Sequence, residues 1–567
     1  MLKLRVMGRA FVGAMSVGLV LALAGANASA QTVYYVKTTG SDGNSGFTEM
    51  AAFKTIGKAV DAASGETSSV IRVLAGTYDQ SHESTNPFGG FPITIDFSNV
   101  SIQANGGTRP VVGGGVSDST VLGLFEVIAD TGTGGDATGV AFTSLEFAGE
   151  DSTSENAPSA VYAFTSDNYD AEIAITDCHI LRSEMNHSTL AGNPSIRGIS
   201  GEGPGLTLTV SDCVIAPNEP GGVVVDLGTD AVASGDGGSP TLIVEDSVFS
   251  VAQGNASHAA IDMILEAYDP STNTGLLGDP FLTVTDCVID SRAATTFGTG
   301  FSYGIAYGGD ARFGGAVQFG HFEVKIQRNE IHGCRQAGLH LLGTTDGLMD
   351  SSVNIQSWYV DNNLISENVG DGVLLDGGDS ANDGQYLRWY LRGNMIVDND
   401  GDGIEVRDIT AGNSGQGHVL NCTLAGNGGY GIRMTNSLQD EWLSHVQNSI
   451  IWDNASGNST GWSPSSSLVT VQYNIWDGTP PVGCVDSGCS PSPTCKQNVN
   501  VDPLFVDPSN GDYHISSSSC AVEGGTNTPS TTNLMGFGTD IDGERRNMDG
   551  DSTRPSIVDM GADEYEP

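Results

Sequence analysis

One template recurs along most of the chain and leaves it very few ways to fold. The segments TVSDCVIAPNEPGGVVV, VKIQRNEIHGCRQAGLHL, WYVDNNLISENVGDGVLL, WYLRGNMIVDNDGDGIEV and HVLNCTLAGNGGYGIRM align on Cys213, Asn329, Asn363, Asn394 and Cys422. Two positions after each anchor stands an apolar residue: Ile215, Ile331, Ile365, Ile396 and Leu424. Five positions after stands Asn218, Asn368, Asn399 or Asn427, with Cys334 as the exception, and four further on a glycine: Gly222, Gly338, Gly372, Gly403, Gly431. Cys178, Ser247, Cys287 and Ser449 take the same anchor position, so the units are spaced 27 to 42 residues apart. A unit of that size is too short to bury a core of its own, and repetition at such a period signals stacked modules.

Inside each unit the hydrophobic period is two. Before the anchors, Leu208/Val210, Leu242/Val244, Val324/Ile326, Trp358/Val360 and Trp389/Leu391 alternate with polar neighbours, which reads as a strand with one buried face. The run after glycine alternates too, as in Ile404-Glu405-Val406-Arg407. Each unit therefore holds a strand, a corner, a short strand, an Asn-to-Gly turn and a third strand. Three short strands per coil, stacked coil on coil, make an all-β parallel solenoid. A sandwich of hairpins has no reason to repeat one polar-glycine template. Stacked corner asparagines can hydrogen-bond between coils, and glycine can supply positive φ at the turn.

The Asn-x-x-x-Gly-apolar template resembles the right-handed parallel β-helix repeat of the pectate-lyase-like superfamily, over roughly residues 90–480. The start of the mature chain, YYVKTTGSDGNSGFTEMAAFKTIGKAVDAA, and its tail, DPLFVDPSNGDYHI to VDMGADEYEP, resemble the opening and closing segments of exported bacterial β-helix proteins. Physically, Phe53, Ile56, Ala59, Val60 and Ala63 share one helical face, which suits a helix covering the open end of the coil stack. The expected organisation is a signal peptide at 1–30, an N-terminal cap and first coil at 31–90, the β-helix at 91–480 and a Cys-containing closing segment at 481–567.

Export follows from the first thirty residues. Lys3, Arg5 and Arg9 precede an apolar run from Ala10 to Ala26, and Ala28-Ser29-Ala30 is a small-residue cleavage site. Formal charge is 23 − 68 = −45, and losing those three cations leaves about −48. Such a chain disfavours nucleic acid, which needs a clustered basic surface. After the leader no apolar run reaches the ~18 residues of a membrane span. Nine cysteines, an odd number, leave at least one thiol unpaired. Cys178 and Cys213 sit on neighbouring coils, where a disulfide is geometrically feasible. Cys484, Cys489, Cys495 and Cys520 form a cluster for which export favours disulfides over zinc, with three possible pairings.

Chemistry is expected on outward columns, because coils stack about 4.8 Å apart. After the glycines these columns read His340–Leu374–Glu405–Arg433 and Leu342–Asp376–Arg407–Thr435. The resemblance implies a polysaccharide partner on this sheet, with the long connections at 306–320, 377–385 and 408–416 as groove walls. A lyase needs a base for the proton alpha to a uronate carboxylate and a cation to neutralise that carboxylate. Arg407 or Arg433 would be the base beside Glu405, and Asp376 with Asp398, Asp400 and Asp402 would hold Ca²⁺ through hard oxygens. The same residues also read as exposed cross-strand ion pairs and an ordinary Asp/Gly turn. A second column, Lys325–Tyr359–Tyr390–His418–His445 flanked by Asp361–Arg392, offers tyrosines that could stack sugar rings or merely cover strand backbone. Trp358 and Trp389 read as core. The NTD and RIK elements of polygalacturonase-like hydrolases, the DPHD element of alginate epimerases and the Arg-x-Pro-x-x-Arg element of the best-known pectate lyases are absent. The expectation is a non-catalytic, adhesin-like polymer binder, with a Ca²⁺-assisted lyase of uronate polymers as the alternative. Oligomeric state is not readable.

Overall fold

The computed structural model describes residues 31–85, 90–116, 121–130, 135–148, 158–165, 169–182, 195–200, 205–217, 223–229, 240–250, 259–267, 274–277, 280–292, 300–308, 316–319, 322–343, 355–376, 386–407, 414–435, 443–461, 470–478, 497–527, 538–546 and 557–565. Three parallel sheets of 14, 13 and 12 strands run the length of the stack. Sheet A collects the strands that precede the anchors, sheet B the short strands after them, and sheet C the strands after the glycines. Within each sheet successive coils pair in parallel, with register shifts only at Ala171/Ile173 and Gly417/His418 among the described coils, so residues some thirty apart become neighbours.

The register of sheet B shows why the template works. Ile180, Ile215, Phe249, Ile289, Ile331, Ile365, Ile396, Leu424, Ile451 and Trp476 pair in succession and are all buried. They make one continuous interior file. Trp358 and Trp389 pair inside sheet A and are fully buried, as expected of core.

The corner asparagines form two ladders. In the first, Asn363 Oδ1 accepts the Asn329 backbone N–H at 2.9 Å and Asn394 Oδ1 accepts that of Asn363 at 3.0 Å. Cys422 and Ser449 interrupt it, and Asn474 and Asn498 resume it. The second runs Asn368, Asn399, Asn427, Asn454. Each amide satisfies buried backbone groups that the corner would otherwise strand.

Positive φ falls elsewhere than expected. The residue just before each anchor is left-handed: Asp177, Asp212, Asp246, Asp286, Arg328, Asn362, Asn421 and Asn448 have φ of 47° to 56°. Gly338, Gly372, Gly403 and Gly431 are not. A Cβ on Gly372 would lie 2.3 Å from Ile396 Cγ2 and 2.8 Å from the Gly403 carbonyl. Glycine is required there because successive coils approach closely, not because of φ.

At the N-terminal end, helix α1 (Ile56–Ala63) buries Ile56, Ala59, Val60 and Ala63. It begins later than Phe53 because Thr55 caps it, its hydroxyl accepting the Lys58 N–H at 3.2 Å. Phe53 bridges to Val36 and still joins the core. The buried Glu83 carboxylate accepts the N–H groups of Ile56 and Gly57 at 3.0 and 3.1 Å.

The closing segment lies along the outer face of sheet B. A hairpin of Phe505–Asp507 and Asp512–Ile515 brings Tyr513 against Met395, Val397 and Ala425, and Ile515, Ala521 and Met560 cover Ile450 and Ile475. The left-handed asparagines hold its backbone: Asn362 donates to Thr539 O, Asn448 to Thr526 O and Asn421 to Asp559 O, at 3.0 to 3.2 Å. Cys178, Cys213, Cys287, Cys334 and Cys422 are buried thiols, so Cys178 and Cys213 are unbridged here. Residues 1–30, Asn218, Gly222, Cys484, Cys489 and Cys495 lie outside the described residues. Among the described residues no helix is long and apolar enough to cross a membrane.

Candidate functional site

Five successive strands of sheet C carry the candidate site: Tyr303–Tyr307, Ala337–Leu342, Asp371–Asp376, Ile404–Arg407 and Tyr430–Thr435. Register places His340, Leu374, Glu405 and Arg433 in one outward column and Leu342, Asp376, Arg407 and Thr435 in the next. Arg407 Nε lies 2.9 Å from Asp376 Oδ2. Arg433 bridges two carboxylates, with Nη1 3.2 Å from Asp402 Oδ2 and Nε 3.8 Å from Glu405 Oε1. The Thr435 hydroxyl donates to Glu405 Oε1 at 3.3 Å.

The three aspartates read as a calcium loop do not converge. Asp398 is left-handed, on the turn leaving sheet B, and its carboxylate accepts the Tyr513 hydroxyl of the closing segment. Asp400 is exposed. Only Asp402 joins the site, with its Oδ1 accepting the Tyr430 N–H at 2.6 Å. Asp398 is left-handed, so the turn breaks the extended alternation that would set residues two apart on one face. Asp402, Asp371 and Glu405 instead bring carboxylate oxygens within 4.8 Å of one another. Asp371 Oδ1 accepts the Asp402 N–H at 2.7 Å. Burial, reinforced by the negative charges of Glu405 and Asp402, pushes Asp371 up to about 7. A sequence signal for Asp371 exists: Asp371-Gly372 and Asp402-Gly403 repeat the same pair at the same template position.

His340 stacks on Tyr303, ring centroids 4.6 Å apart, and its Nε2 is buried with no hydrogen-bond partner. Burial pushes its pKa down to about 4, so the imidazole is neutral at pH 7. Tyr303 donates its hydroxyl to Gln336. The sequence carries no cue to Tyr303, because its coil is the 42-residue one between Cys287 and Asn329, where the Asn–Gly spacing fails. Segments 309–315, 377–385 and 408–413, which hold most of the expected groove walls, lie outside the described residues.

The second column is also in register, but its rings are used on one another. Tyr359, Tyr390, His418 and His445 stack at 5.2, 4.9 and 4.7 Å with planes within 12° of parallel. Arg392 pairs with Asp361 at 2.7 and 2.6 Å and lies over Tyr359 and Tyr390. Lys325 pairs with Glu323 on its own strand. Tyr390 is 8% and His418 1% exposed, so those two rings are not free as a sugar platform, while Tyr359 and His445 at the ends of the stack are half-buried. Burial pushes His418 down to about 3.

Residues 283–524 match the sequence family described as right handed beta helix region. The described coils of that stretch are a parallel β-helix. Its coils are similar to those of several solved structures. The pectate lyase Pel9A is 14% identical, with 95% of this chain and 97% of that one covered and a TM-score of 0.36. The A-module of the mannuronan C-5 epimerase AlgE4 from Azotobacter vinelandii is 14% identical, with 75% and 95% covered and a TM-score of 0.38. A rhamnogalacturonan lyase is 12% identical, with 80% and 89% covered and a TM-score of 0.28. No curated protein matches the chain by sequence. Likenesses this distant say nothing about the chemistry of this β-helix.

Proposed function

We propose that this β-helix is exported and contacts polysaccharide or another cell-surface polymer through the outer face of sheet C. The observation that carries this reading is the grouping of His340, Tyr303, the Asp376–Arg407 pair and Arg433 with three carboxylates on five successive coils. Non-catalytic, adhesin-like binding is the first reading: guanidinium groups in fork geometry suit polymer carboxylates.

Uronate lyase chemistry is the second, and one observation favours it. His340 is neutral and has a bare Nε2, as a general base requires. Arg433 is the less available base, because the Asp402 carboxylate holds its guanidinium protonated. In this reading His340 takes the proton alpha to the uronate carboxylate, and Arg407 and Arg433 neutralise that carboxylate. Asp371, Asp402 and Glu405 offer the hard oxygen donors that Ca²⁺ takes, in place of the Asp398–Asp400–Asp402 set. Bound Ca²⁺ would add positive charge where the enolate develops.

Following unsaturated-uronate absorbance on pectin, alginate and chondroitin separates the two. Product formation lost in His340→Gln makes the protein a lyase. Binding on a glycan array, lost in Arg433→Ala with no absorbance change in the wild type, makes it a binder. No binding and no product on any of these polymers overturns both.

A further inference from the structure

The anchor position changes character along the stack. From coil 329 onward it is mostly asparagine, and amide ladders tie coil to coil. In the earlier coils it is Cys178, Cys213, Ser247 and Cys287, where no such amide is available. Ser247 Oγ accepts the Cys213 N–H at 3.1 Å, so a hydroxyl does part of that work at one step. Cys178 and Cys213 are direct coil neighbours: the Val214 N–H donates to Cys178 O at 2.9 Å. The flanking pairs Thr176/Ser211 and His179/Val214 are in register, so the two anchors occupy equivalent corners of adjacent coils. Each thiol also faces carbonyl oxygens, Cys213 those of Ser211 at 3.1 Å and Ile175 at 3.4 Å, Cys178 those of Thr176 at 3.4 Å and Phe142 at 3.7 Å. Strand neighbours about 4.8 Å apart fall inside the Cα separation a disulfide tolerates, roughly 4.4–6.8 Å. Cys287 is separated from Cys213 by the Ser247 coil, and Cys422 stands between Asn394 and Ser449. Among the thiols of the described residues, this is the one pair on adjacent anchors.

We propose that Cys178 and Cys213 are an oxidation site, closing an inter-coil disulfide that ties the N-terminal coils where the asparagine ladder is missing. The oxidant is a disulfide of the surrounding medium. One cysteine thiolate attacks it, forming a mixed disulfide and releasing one thiol. The other cysteine thiolate then attacks the protein sulfur of that mixed disulfide and releases the second thiol. Two protein thiols are oxidised and one external disulfide is reduced to two thiols. Both side chains are buried, so exchange proceeds while the corner is open, during folding or local unfolding, and the closed bond is shielded from reduction.

The test uses the full chain, unfolded and refolded in a glutathione/glutathione-disulfide buffer, then alkylated in denaturant and digested. The expected result is a cross-linked peptide pair containing Cys178 and Cys213, with Cys287, Cys334 and Cys422 alkylated. Limited proteolysis of the N-terminal coils should then accelerate several-fold on reduction in the wild type. It should not respond to reductant in the Cys178→Ser/Cys213→Ser double variant, which keeps a hydroxyl of the kind Ser247 already places there. Alkylation of both cysteines after refolding, or a bridge from either to Cys287, overturns the proposal. Neither outcome bears on whether sheet C binds a polymer.

Discussion

Replacing Asn363 with alanine should loosen the β-helix at one defined coil. Its Oδ1 accepts from the Asn329 backbone N–H and from Asn329 Nδ2, both at 2.9 Å, and its Nδ2 donates to Ile326 O and Asn394 Oδ1, both at 2.9 Å. Asn329 Nδ2 keeps Val284 O, and Asn394 Oδ1 keeps the Asn363 N–H. Two groups lose a contact with no such substitute in the ladder: the Asn329 N–H and the Ile326 carbonyl. At ~1–3 kcal/mol for each stranded buried group, the loss is about 2–6 kcal/mol. A solenoid need not unfold in one step, so the loss should appear locally. Hydrogen exchange at the amides of Asn329, Asn363 and Asn394 is the assay, with amides of the first coil as the internal reference. Asn363→Ser should recover part of the loss, because Ser449 in the same position accepts the Cys422 N–H at 3.2 Å. If Asn363→Ala leaves protection at these amides unchanged, or serine does no better than alanine, the ladder is not what ties these coils.

Four further outcomes follow. If His340 is a base, lyase activity should hold from neutral pH down to about pH 5 and fall as the imidazole protonates near 4; His340→Gln should remove it at every pH. Calcium binding by calorimetry should strengthen as pH rises through about 7, since Asp371 must give up its proton to coordinate, and Asp371→Asn should flatten that dependence. Glu83 has a folded-state pKa raised to about 7 by burial, so the folded state binds the extra proton and gains stability that is full below about 4.5 and lost as pH climbs through 7. Thermal melts across that window should flatten in Glu83→Gln; an unchanged slope refutes the assignment. Arg433→Lys should weaken carboxylate-polymer binding about tenfold, because an ammonium cannot bridge Asp402 and Glu405 while presenting a fork.

The coil register was readable from the chain because one signal, an apolar residue two places after each anchor, repeats without a break from Ile331 to Leu424. Once the anchors align, the neighbours of Asp376 and Glu405 follow by counting. What counting cannot supply is the direction of a turn. Asp398, Asp400 and Asp402 look equivalent in DNDGDG, yet they end at a closing-segment tyrosine, in solvent and in the site respectively. The left-handed residue was hidden for a similar reason: Asp, Arg and Asn all occupy it, so no single letter marks it. Tyr513 and Asp398 are 115 residues apart and belong to no period. A weaker cue was present, since the outward residues Met395, Val397 and Ala425 are apolar where Glu330 and His332 are not.

The lateral berth of the closing segment makes the two halves of the stack unequal as material for change. Its grips at Asn362, Asn421 and Asn448 act like fixed rungs, each tied to a particular point on the tail backbone. Duplicating the module from Cys178 to Asp212 would simply lengthen the rod ahead of those rungs. Duplicating the module from Asn363 to Gly393 would push Asn362 one step away from Asn421 and tear the tail from one or the other. Lineages that vary in length should therefore have gained and lost their coils on the N-terminal side.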